Sequence, residues 1–153
     1  EKTNLVSWWG LDAELLGDQL LDETTTFTDA AWDAPTAGSI TSYGDSLVID
    51  AATENFSLAE ANKFTVVAGA VYQLSITVSA RTAGRITVKV GNTGLSWTTT
   101  ATTLTANVVA ANTNEFVVAS HASEGFAGTV DAISCKRVYV EDLQGSNNGS
   151  LHS

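Results

Sequence analysis

A chain of 153 residues with 17 acidic and 7 basic side chains carries a net charge of −10. That argues against a phosphate-backbone partner, which needs clusters of Lys and Arg. A hydrophobic fraction of 44% with only 16% charged residues fits one globular domain with polar, uncharged outer faces, and no apolar run reaches membrane-spanning length.

In chain order, "LVSWWGLDA" (Leu5 to Ala13) places two tryptophans, Trp8 and Trp9, side by side, so that in a strand they would face opposite ways. "LDAELLGDQLLDE" predicts one or two helical turns through Leu15, Leu16 and Leu20, without a convincing cap. "GSITSY" and "SLVID" read as strands, "SLAEANKF" as one helical turn, and "KFTVV" as a strand. From there the period is two. "VYQLSITVSA" puts Tyr72, Leu74, Ile76 and Val78 on one face, and "RITVKV" puts Ile86, Val88 and Val90 inward, with Thr87 and Lys89 outward. The intervening "RTAG" predicts a hairpin between them. "LSWTTT", "TLTANVVA", "EFVVAS" and "GTVDAISCKRVYV" complete eight or nine strands, separated by Gly- and Asn-bearing loops. The fold class is therefore all-β, an antiparallel sandwich or jelly roll with little helix. The polar end "LQGSNNGSLHS" reads as a turn or tail. The opening "EKTN" contains no signal peptide, and the chain has no methionine, so a processed product or a fragment is expected.

Residues 15–140 resemble the galactose-binding-like jelly rolls that include many carbohydrate-binding modules. "LLDETTTFTDAAWDA", with Leu20, Leu21, Phe27 and Trp32, resembles their opening. "FTVVAGAVYQLSITVSA" and "ITVKVGNTG" resemble two middle strands, and "GTVDAISCKRV" with Asp131 the last. Phe27 and Trp32 are suited to closing one end of the core, and Gly69 and Gly91 fall at strand ends, where glycine turns most easily. The two flanks, 1–14 and 141–153, resemble a different sandwich. "LVSWWGLDA" and "EDLQGSNNGSL" are similar to two consecutive pieces of a laminin-G-like, concanavalin-like lectin opening. The jelly roll would then interrupt that opening, and residues 5–13 and 140–151 are expected to pair as strands.

The resemblance implies a structural Ca2+ near the first and last strands. Asp131 and Asp22 are the candidate ligands, with Glu23 and Asp29 nearby, while Thr28 stands where the family carries a carboxylate. A second reading has Asp131 accepting N–H bonds from the opening loop. For sugar, a surface aromatic ring must stack on a pyranose, and the candidates are Trp97 in "LSWTTT" and Tyr43 in "TSYGD". For both, the core reading outweighs the ligand reading, because aromatic side chains are usually largely buried, and for Trp97 strict alternation would also put it on the same face as Leu95. His121 and Glu124 in "SHASEGF" read as solvated loop residues that could line a site. Cys135 alternates with Ile133 and reads as a small buried apolar residue. No pair of carboxylates, serine elbow, zinc pattern or phosphate loop stands in a motif, so no enzyme is expected.

Mosaics of this kind look like phage virion surface proteins, such as fibres, tail appendages or capsid decorations. The expectation is a non-catalytic module at a virion or extracellular surface, a homo-oligomer or part of a larger assembly, adhering to surface glycan. Two alternatives stand beside it: a domain that only packs against neighbouring virion subunits, and an accessory carbohydrate-binding module of a secreted bacterial glycan-active enzyme.

Overall fold

The computed structural model describes residues 14–21, 24–28, 32–33, 40–51, 57–60 and 64–140. Within them lie eleven strands and no helix: β1 Glu14–Gln19, β2 Trp32–Asp33, β3 Ile40–Ser42, β4 Leu47–Ala51, β5 Ser57–Glu60, β6 Val71–Gly84, β7 Ile86–Val90, β8 Thr93–Gly94, β9 Thr102–Val109, β10 Val117–Ser120 and β11 Phe126–Val140. They form two antiparallel sheets. One runs β3-β4-β11-β6-β9, with β1 also on β11, and the other runs β2-β5-β10-β7-β8. The all-β antiparallel sandwich is thus observed. Apart from Glu14 and Val140, the lectin-like flanks, with Trp8, Trp9 and the expected pairing of 5–13 with 140–151, lie outside the described residues. So do Asp22, Glu23 and Asp29.

The period-two pattern of β6 is realised as read. Tyr72, Leu74, Ile76 and Val78 are buried while Gln73, Ser75 and Thr77 are half-exposed. Opposite them, Ile86, Val88, Val90 and Val118 form the inner face of the second sheet, and Phe27, Phe116 and Phe126 complete the core. Cys135 is buried, as expected. The hydroxyl of Tyr72 accepts the Val67 amide at 2.9 Å, which lets a phenol sit in the core without an unpaired oxygen.

Several expectations give way. The helical turns read at 11–23 and 57–64 are strands where the structure describes them, β1 and β5. In β1, the Leu15, Leu16, Leu20 spacing is overridden by pairing with β11. The Gln19 side chain bridges a register shift there, its Oε1 accepting from the amides of Leu20, Leu21 and Cys135 and its Nε2 donating to Ser134 Oγ. The segment Phe64–Val67 is irregular rather than a strand, and "LSWTTT" contributes only an isolated bridge at Thr98.

The predicted hairpin of β6 and β7 is also wrong. β6 belongs to the first sheet and β7 to the second, so the chain crosses between sheets at Gly84 and Arg85. Gly84 has φ +69°, and a Cβ there would collide with the Gly125 and Glu124 backbone. Only glycine meets both conditions, and the "RTAG" pattern does not distinguish such a corner from a hairpin turn. β10 returns to β11 at the same place. Arg85 N–H donates to the Gly125 carbonyl (2.9 Å) and His121 N–H to the Arg85 carbonyl (3.0 Å), so the two crossings lie side by side.

Candidate functional site

Trp97 owes its position to a bulge. After Gly94 pairs with Lys89, the Leu95 amide bonds the Val88 carbonyl, and the next bridge joins Thr98 to Ile86. Leu95 and Thr98 therefore both point inward although they are three positions apart, and the two residues between them, Ser96 and Trp97, oppose Thr87 alone. The extra residue sends Trp97 outward. Strict alternation had put it on Leu95's side, which is why the core reading of Trp97 fails: Leu95 is buried and Trp97 is half-exposed.

The indole lies over the outer face of the second sheet. Lys89 Nζ is 5.2 Å from its ring centroid, and the His121 ring meets it edge-on at 5.0 Å. Between these two side chains the register pairs Thr87 with Ala119, both buried on what would otherwise be a solvent face. Small residues beneath leave room for a flat ring above. Thr87 Oγ1 also donates to the Leu95 carbonyl at 2.8 Å, satisfying the backbone at the bulge.

The corner between the sheets supplies the remaining groups. The turn from His121 to Gly125 is closed by amides of Glu124 and Gly125 donating to the His121 carbonyl. Ser123 Oγ lies 3.1 Å from His121 Nδ1. Arg85 binds Glu124 in a two-pronged contact, Nε to Oε2 at 2.7 Å and Nη2 to Oε1 at 2.5 Å. Among the described residues no carboxylate pairs with Lys89, so the cluster carries a cation on an acidic protein. The bulge and crossover that assemble Trp97, Lys89, His121, Arg85 and Glu124 leave no mark in the sequence. Trp97 between short polar residues, and His121 and Glu124 in a loop, were legible singly, but not their meeting with Lys89 and Arg85.

Tyr43 is elsewhere. It follows β3, is half-buried and packs against the core. β3 and β8 lie at opposite edges of the sandwich, since the β8 edge neighbours β9. The structure does not bring Tyr43 and Trp97 into one groove.

Asp131 occupies another irregularity. Val130 pairs with Val78 and Ala132 with Thr77, so Asp131 is an extra residue in β11, and Ser79 is extra in β6, where Thr129 pairs with Ala80. Ser79 Oγ donates to Asp131 Oδ1 at 2.8 Å. The opening loop reaches β11 through a different contact, with the Thr24 carbonyl accepting the Ile133 amide. Asp131's described partner is thus a hydroxyl across the ladder rather than the opening-loop amides. Among the described residues no three His, Cys, Asp or Glu side chains cluster as a metal site.

An all-β protein of two antiparallel sheets with an aromatic–cationic cluster on one outer face is the class that fold and site define. No protein-family model matches the chain, and no curated protein matches it.

Proposed function

We propose that the protein is a non-catalytic, carbohydrate-binding-module-like jelly roll that holds a surface glycan on the outer face of its second sheet. The observation that carries this reading is Trp97, a half-exposed indole turned outward by a bulge and bordered by Lys89 and His121. A pyranose presents axial C–H groups to an aromatic face, and its hydroxyls need donors and acceptors at the rim. Lys89, His121 and Ser123 are such groups. The uncharged polar surface and single cysteine of the chain suit a virion or extracellular setting.

A glycan array tests this, comparing the natural protein with Trp97→Ala and Tyr43→Ala. Binding lost in Trp97→Ala and kept in folded Tyr43→Ala supports the reading. No binding by the natural protein, or binding indifferent to Trp97→Ala, removes it.

A further inference from the structure

The charges of this acidic chain are unevenly spread. From Phe64 to Val140 there are five basic residues, Arg81, Arg85, Lys89, Lys136 and Arg137, against three acidic ones, Glu115, Glu124 and Asp131. Of those three, Asp131 is bonded to Ser79 in the first sheet, and Glu124 is held through both oxygens by Arg85. Glu115 is exposed two positions before Val117, the residue opposite Lys89, yet among the described residues no ion pair joins it to Lys89.

The other acidic residues described belong to other strands. Glu14 and Asp18 lie in β1 and Asp50 in β4 of the first sheet, with Asp45 just before β4. Asp33 and Glu60 lie in β2 and β5, across β10 from β7. Lys89 thus stands 5.2 Å from the Trp97 ring centroid with no carboxylate of the described residues bound to it. Arg85 contributes to that state. The turn that brings His121 to the indole also carries Glu124, three residues on, and Arg85 occupies that carboxylate.

We infer that the ligand of the Trp97 site is an acidic glycan, one whose pyranose ring carries an anionic substituent that Lys89 takes. The inference rests on the glycan reading above and names the chemical class of that ligand. An indole face accepts any sugar with suitable C–H groups, neutral or charged. An ammonium beside it adds a charge-assisted hydrogen bond only where the sugar offers an anion, and no internal ion pair has to be broken for Lys89 to make it. The net charge of −10 opposes such a ligand only weakly. The excess of acidic residues falls outside residues 64–140, and exposed charges beyond about 10 Å are largely screened at 0.1 M salt. Carboxylated and sulfated sugars both meet this chemistry.

A glycan array that sets each uronate, sialoside and sulfated glycan beside its carboxyl-reduced or desulfated counterpart tests this and tells which anion is taken. The acidic member of a pair should bind about tenfold or more tightly than the neutral one. Titration calorimetry with the best-retained pair then reads the ratio of the two affinities in variants. That ratio should fall about tenfold in Lys89→Gln and be kept in Lys89→Arg. Lys136→Gln, which removes the same charge from the first sheet, should leave it unmoved. Should Lys89→Gln fail to fold, Glu124→Gln decides the question: it frees the Arg85 guanidinium and should raise the ratio. Equal binding of acidic and neutral members, a preference for the neutral one, or a ratio indifferent to the folded variants overturns the inference and leaves the glycan reading standing. Retention of no glycan at all removes both.

Discussion

Two threonines one strand apart should respond in opposite ways to the same substitution. Thr98 is 2% exposed, and its Oγ1 is buried with no hydrogen-bond partner among the described residues. Thr87 is 1% exposed, and its Oγ1 donates to the Leu95 carbonyl at 2.8 Å. Valine matches threonine in shape and has at least as high a strand preference, so Thr→Val isolates the hydroxyl. At Thr98 the change removes a desolvated group that gains nothing in return. Its cost is about 1–3 kcal/mol, and Thr98→Val should stabilise by about 1 kcal/mol after relaxation. At Thr87 the change deletes a bond of about 1 kcal/mol and leaves the bulge carbonyl short of its donor, so Thr87→Val should destabilise by about 1–2 kcal/mol. For a domain of this size the two variants should differ in Tm by roughly 5–10 °C, with natural protein between them. Urea unfolding at low protein concentration, followed by far-ultraviolet circular dichroism, gives the free energies directly. Equal signs for the two variants would refute the assignment of one satisfied and one unsatisfied hydroxyl.

Gly84→Ala combines a positive φ with a collision against the Gly125 backbone, and should cost about 3 kcal/mol or more by chemical denaturation, against about 1–2 kcal/mol for Gly44→Ala, where the φ of +155° strains a side chain but nothing lies near. Gln19→Ala removes an acceptor shared by three amides, of which Leu20 keeps the Cys135 carbonyl, and should cost about 2 kcal/mol, with the Cys135 amide losing protection in hydrogen exchange. Asp131→Asn keeps an acceptor for Ser79, so it should shift Tm by only a few degrees, and to the same extent with or without chelator if the carboxylate serves the ladder. A large chelator effect on natural protein that vanishes in the variant would return Asp131 to the calcium reading.

The inward-facing positions of β6, β7 and β11 were legible because alternation of apolar and polar residues is a local signal. Tyr72 to Val78 and Ile86 to Val90 fall where the period puts them. What alternation cannot carry is a change of phase. Three of the misjudged placements (Trp97 beside Leu95, the β6–β7 hairpin and the helix over β1) each stand at a bulge, a sheet-to-sheet corner or a register shift. At such points one extra residue, a glycine at positive φ or a side-chain amide substitutes for a backbone rung. The composition of the segment hardly registers it. The candidate site depends on the same features: Trp97 faces outward only because Ser96 and Trp97 share one partner, and His121 and Glu124 join it only because the two crossings adjoin. Neither relation is visible until distant segments are paired.

The most direct test of the binding reading is an NMR titration of the natural protein with a glycan retained on the array, following the four indole N–H resonances. The Trp97 indole should shift most, together with the His121 ring and Lys89 side-chain signals, and Trp97→Ala should abolish saturation. A saturable shift confined to another indole, with Trp97 and His121 unmoved, would contradict it.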